Sequence, residues 1–161
     1  MSIIETSMSG FVLTLAIAGL VPVFTMSLRT SEQQGNVSTR CTEYAQDKME
    51  QLMKLDFTDG TANTTQFPVS TCSSGCGLGG TMAANSTAGS ITSVVTYFAD
   101  YLDENGNQLS SSSGAFYKRQ WNIVTDSTAT VKTITVVVTA LGTFTGTAPS
   151  TTLVCVKSTG L

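Results

Sequence analysis

The chain is predicted to be α+β: one long N-terminal α-helix packed on a four-stranded antiparallel β-sheet. From Thr6 to Leu28 there is no formal charge, and almost every turn carries a large apolar residue. From Val37 onward the apolar residues Val37, Cys41, Ala45, Met49 and Leu52 recur at steps of four and three, the spacing of one helix face. After Ser90 the periodicity changes to two, in short stretches rich in Val, Ile, Thr and Tyr separated by turn residues.

With 161 residues the chain suits one domain, its first quarter given to the apolar segment. Only 12% of residues are charged, the net charge is -3 and the pI is about 4.7. No basic face marks a nucleic-acid binder, and no specific nucleic acid is expected as a partner. Histidine is absent, which removes the commonest catalytic base and metal ligand. No nucleophile–base pair or metal cluster is readable, so no catalytic, cofactor-binding or metal residues are expected and the chain is not read as an enzyme.

The first segment, 1–28, is apolar all round as a helix, the pattern of a segment in lipid or in a bundle. Its length suffices to cross a bilayer at roughly 20 residues per span. It does not look like a cleaved secretory signal, because no Lys or Arg precedes Arg29 and the apolar run is long. Ser7, Ser9, Gly10, Ala16, Ala18 and Gly19 would let helices approach closely. Glu5 is the one acid here. A carboxylate in hydrocarbon costs at least about 3 kcal/mol and is a functional residue by default. Its own N-terminal amine leads it by about a turn along the helix, so the fitting counter-charge is the Met1 α-amine of a neighbouring copy staggered by one turn. Pro22 removes a backbone hydrogen bond, and with Gly19 it weakens the middle of the segment.

The amphipathic half, 29–57, continues the same helix. Tyr44 and Leu55 flank its stripe, and Glu43, Gln46, Asp47, Lys48, Glu50 and Gln51 are read as its solvated side. Asp59-Gly60 is expected to end it. The globular part, 58–161, begins with a long polar connection, 58–90. Cys72 and Cys76 lie there at half a zinc-site spacing, with no second pair to complete it. The glycines at 77, 79 and 80 lack the Lys-Ser/Thr of a phosphate loop.

The sheet occupies 91–161. Strands are expected over Ser90–Leu102, Ala115–Val124, Val131–Leu141 and Thr151–Lys157, with one apolar face for the helix and one Thr-rich wet face. Asp103-Glu-Asn-Gly-Asn107 is a hairpin signal. It also imitates the start of a calcium loop, but its Gly stands fourth rather than sixth and no Glu closes it.

Met1-Ser-Ile-Ile-Glu5, the apolar run after it and Pro22 resemble the mature N-terminus of a bacterial type IV pilin or type II secretion pseudopilin. Glu in fifth place and Pro in twenty-second match that family. Met1 stands where Phe is usual, and Thr14 where Gly is frequent. The stretch from Gln46 to Phe57, Tyr117 to Val124 and Lys132 to Val138 are similar to a minor-pilin-like branch, so the likeness spans nearly the whole chain in the family's order of elements.

The resemblance implies the type IV pilin fold, in which 58–90 is the αβ-loop. It implies a leader removed by prepilin peptidase, N-methylation of Met1, storage in the inner membrane, and polymerisation by the pilus assembly machinery into an extracellular filament. Partners would be further copies of the chain and other pilins. Glu5 and the α-amine of Met1 would form the intersubunit charge pair, and the helix would melt locally near Gly19 to Pro22 in the filament. No cofactor is implied. The alternatives are a membrane-anchored pseudopilin and a surface binding module of a secretion or adhesion system. Adhesion, motility, DNA uptake and secretion are all served by such fibres.

Four cysteines in an exported chain suggest two disulfides among three pairings. The expected set is Cys72–Cys76, local to the loop, and Cys41–Cys155, pinning the helix to the last strand. Asn36, Asn63 and Asn85 begin glycosylation-type sequons, a pattern that polar chains produce by chance.

Overall fold

The computed structural model describes residues 3–57, 64–65, 77–79, 83–144 and 147–159. It is α+β. Helix α1 runs Ile3–Lys54, followed by the strands β1 (Thr87–Gly89), β2 (Ala99–Leu102), β3 (Gln108–Leu109), β4 (Tyr117–Thr125), β5 (Val131–Ala140) and β6 (Ser150–Ser158). The strands form one antiparallel sheet in the order β3-β2-β4-β5-β6, with β1 also pairing β4. The chain divides into two compact units, Met1–Asn36 and Val37–Leu161.

The described residues of the second unit share one core. Cys41, Ala45, Met49 and Leu52 of the helix stripe are buried, and Leu55 follows them. From the sheet they meet Leu102, Tyr117, Trp121, Ile123, Ile134, Val136, Val138 and Ala140. The register explains why these side chains share a face: Trp121 lies opposite Val136, Ile123 opposite Ile134, and Val136 opposite Leu153. A slip of one residue would turn every one of them to the other side. Each large apolar side chain buried this way contributes about 1.5–3 kcal/mol. The opposite face carries Thr133, Thr135 and Thr139, half-buried, and Val154 and Val156, exposed.

The four expected strands correspond to β2, β4, β5 and β6. The first is much shorter than its alternation suggested, beginning at Ala99 rather than Ser90. Both β1 and β2 lie along β4, β1 against 122–124 and β2 against 117–120. Between them the chain leaves the ladder. Tyr97 takes a positive φ of 72°, and Phe98 N–H donates to the Val95 carbonyl in a tight turn. Gly89 has a φ of +76°, and a Cβ there would stand 2.4 Å from the Trp121 carbonyl oxygen and 2.7 Å from the Phe98 ring. Gly89→Ala is therefore expected to destabilise the fold by roughly 2–3 kcal/mol, from backbone strain and overpacking together. Thermal unfolding checks it, and an unchanged midpoint would contradict this packing.

The predicted hairpin is present, and its second arm is β3, paired with β2. Asp103 accepts hydrogen bonds from the backbone N–H of Asn105 and Asn107 and from Asn107 Nδ2, each at 2.8 Å. These bonds hold its carboxyl below the usual range, Asn107 contributing most. The calcium-like spacing is thus used to tie the turn to itself. Gly106 approaches Tyr44 so closely that a Cβ would meet the phenol oxygen at 2.6 Å.

Cys72–Cys76 lies outside the described residues. Cys41 and Cys155 are free thiols, which corrects the expected bridge between them. Thr42 on the helix touches Thr151 at 3.1 Å, whereas Lys157 reaches the Met53 carbonyl at 2.8 Å. The helix and β6 therefore run alongside one another in the same direction. Cys155 is carried about 13 Å along the strand from Thr151, at roughly 3.3 Å per residue, so it reaches a later turn of the helix. A disulfide requires Cα atoms within about 7 Å. Cys41 stays near the start of β6, its Sγ donating to the Pro149 carbonyl at 3.7 Å, and burial pushes its thiol pKa up.

Candidate functional site

Two features stand out, one in each unit. In the first unit the helix presents its apolar side chains to the outside. Every described residue from Ile3 to Gln33 is exposed. Phe11 is 68% exposed, Leu13 63% and Phe24 66%, values at which most of each side chain still lacks a partner. By length and composition this helix could cross a membrane. Apolar surface left open in this amount calls for a cover, either lipid or other helices.

The polar groups of this segment are arranged for an apolar cover. Thr6 Oγ1 donates to the Ile3 carbonyl at 3.0 Å, Ser9 Oγ to Glu5 at 2.9 Å and Thr14 Oγ1 to Gly10 at 2.6 Å. Thr25 and Thr30 donate in the same way to Pro22 and Met26. A hydroxyl satisfied by its own helix does not have to find water. This accommodates Thr14 where glycine is frequent in the resembled family. Among the described residues Glu5 forms no ion pair. Its side chain is exposed. Met1, the expected source of the counter-charge, lies outside the described residues. Gly19 and Pro22 lie within continuous helix in the single chain.

The second feature is a charge cluster beneath the sheet of the second unit. Arg119 Nε donates to Asp100 Oδ1 at 2.7 Å, and its Nη2 to Asp100 Oδ2 at 2.8 Å. Its Nη1 donates to Asp47 Oδ2 at 3.2 Å. Lys48 Nζ stands 3.3 Å from Asp100 Oδ2. It donates to the Thr64 carbonyl at 2.5 Å and lies 4.1 Å from the centre of the Trp121 ring. Trp121 Nε1 in turn donates to Thr64 Oγ1 at 3.0 Å. The side chains of Lys48, Asp100 and Arg119 are 0%, 2% and 5% exposed, and that of Asp47 is 58%. Burial drives the Lys48 pKa down to about 8, against the pull of Asp100.

Sequence reasoning placed Asp47 and Lys48 on the solvated face, and the structure corrects that for Lys48. The signal was available. Lys48 stands seven residues after Cys41 and four before Leu52, on the buried stripe itself. Its partners come from strands far away in the chain, which no local pattern reveals. Two more lysines were missed. Lys157 Nζ donates to the carbonyls of Met53 and Leu55, and Lys132 Nζ donates to those of Phe57 at 2.8 Å and Gly79 at 3.3 Å. Lys157 thus satisfies the Met53 carbonyl, which the end of α1 would otherwise leave open, with the charge sign the helix dipole favours, and Lys132 ties the segment just after the helix to Gly79.

Among the described residues no group of three His, Cys, Asp or Glu is placed to hold a metal ion. Compared with models of protein families, with curated proteins and with solved structures, the chain finds no match.

Proposed function

We propose that this chain is a structural subunit of a type IV pilus, a pilin that polymerises through its N-terminal helix. It rests in the inner membrane before assembly and then joins an extracellular filament with further copies and other pilins. The observation that carries the reading is the exposed apolar segment Ile3–Leu28 with a single acid at its outer end. Lipid can cover such a segment, but lipid alone gives no reason for Glu5. A bundle of staggered copies covers the same surface and offers Glu5 the amine of Met1 from a neighbour. The α+β architecture and the internally satisfied hydroxyls agree with it.

A second reading rests on the same helix being long and apolar enough to span a membrane. There the chain is an anchored pseudopilin or surface binding module that forms no surface fibre. Shearing cells that express the chain, imaging the released material by electron microscopy and sequencing its N-terminus separates the two. The pilin reading expects thin fibres containing the chain, with methylated Met1 first. Chain found only in the membrane fraction would contradict it.

A further inference from the structure

Lys48 and Asp100 meet where water does not reach either of them. Their side chains are 0% and 2% exposed, and Nζ lies 3.3 Å from Oδ2. The face of Trp121 and the Thr64 carbonyl enclose the amine. Arg119 holds both carboxylate oxygens, which fixes the carboxyl plane beside the nucleophile. We propose that Lys48 and Asp100 condense into an intramolecular isopeptide bond, Nζ to Cγ, which joins α1 to β2 covalently.

The ion pair already contains every atom the step needs. Nζ releases one proton to the carboxylate and, as a free amine, attacks Cγ. The C–N bond forms and one C–O bond breaks. The departing oxygen leaves as water with two of the three ammonium hydrogens, and no oxidant or reductant takes part. Arg119 N–H groups stabilise the negative charge that gathers on the remaining oxygen of the tetrahedral intermediate. Burial makes the free amine more abundant near neutral pH than for an ordinary lysine.

Charge balance favours the product. Before the step two cations, Lys48 and Arg119, face two carboxylates, Asp100 and Asp47. Afterwards Arg119 and Asp47 remain as a pair at 3.2 Å, so no buried charge is left without a counter-ion. The new amide N–H keeps the Thr64 carbonyl as acceptor, and its oxygen keeps Arg119 as donor. The desolvation cost of one ion pair disappears with the water. The inference rests on this cluster alone and does not depend on the proposed fibre.

Intact-mass spectrometry of the full chain, denatured, reduced and alkylated, tests it. The expected mass is one water below that required by the sequence and its N-terminal modifications, and Lys48→Arg and Asp100→Ala should each lack this loss. The full mass in the wild type overturns the proposal. So does a loss that persists in either variant, because dehydration at Asp59-Gly60 would explain it instead. If the variants do not accumulate, a tryptic map of the wild type decides. A branched peptide with Lys48 uncleaved and joined to the peptide carrying Asp100 is expected, and separate linear peptides cleaved after Lys48 overturn the bond.

Discussion

Glu5→Ala is expected to enter the membrane at the wild-type level and to yield at least tenfold less sheared fibre. The substitution makes the segment more apolar, so insertion does not suffer. In the proposed bundle it leaves the neighbour's α-amine in a low-dielectric core without a counter-charge. Removing one partner of a buried pair costs about 3–5 kcal/mol, and each 1.4 kcal/mol is a factor of ten in an equilibrium. Glu5→Gln keeps a hydrogen-bonding acceptor without the charge and should lie between the two. Fibre yield after shearing, normalised to the membrane-resident pool, is the measurement. Wild-type yield from Glu5→Ala would contradict the pairing role of this residue.

Asp100→Ala is expected to be the most destabilising single change in the globular unit. It leaves Lys48 and Arg119 with one carboxylate between them, and that one, Asp47, is 58% exposed. Two buried cations with half their counter-charge gone cost about 3–5 kcal/mol. For a unit of this size that lowers the thermal midpoint by roughly 10 °C or more. Asp47→Ala is the control, since a largely solvated partner contributes within about 1 kcal/mol. Calorimetry of both variants checks the contrast, and equal shifts would contradict the assignment of Asp100 as the centre of the cluster.

Much of the architecture was legible because it depends on local period. The stripe through Cys41, Ala45, Met49 and Leu52 is buried as its spacing predicted. Strands β4, β5 and β6 lie within about two residues of the expected ends, because Thr, Val and Ile alternate cleanly there. The strand before Leu102 was overlong for a reason that alternation cannot express. Ser90 to Phe98 has the right pattern, yet it bridges two separate pairings along one edge of β4, and Tyr97 turns the chain. The Cys41–Cys155 bridge failed on distance. A helix advances about 1.5 Å per residue and a strand about 3.3 Å, so which turn meets which strand residue follows only from the packed pair.

The site divides in the same way. The apolar exposure of Ile3–Leu28 and the isolation of Glu5 are readable from charge and hydropathy alone. The Lys48–Asp100–Arg119 cluster is not, since Asp100 and Arg119 reach Lys48 only through the antiparallel pairing of β2 with β4. Lys132 and Lys157 point inward from strands whose alternation places them on the core side, where a lysine is unexpected until the carbonyls of Met53, in the last turn of α1, and of Phe57, just after it, are there to receive them.

Helical reconstruction of sheared fibres at a resolution that shows side chains tests the proposed assembly most directly. The N-terminal helices should fill the fibre core, with each Glu5 carboxylate within about 4 Å of the Met1 amine of an adjacent copy, the range of an ion pair. Fibres whose core leaves Glu5 facing solvent, or purified chain that stays monomeric with Glu5 unpaired beside lipid, would contradict it.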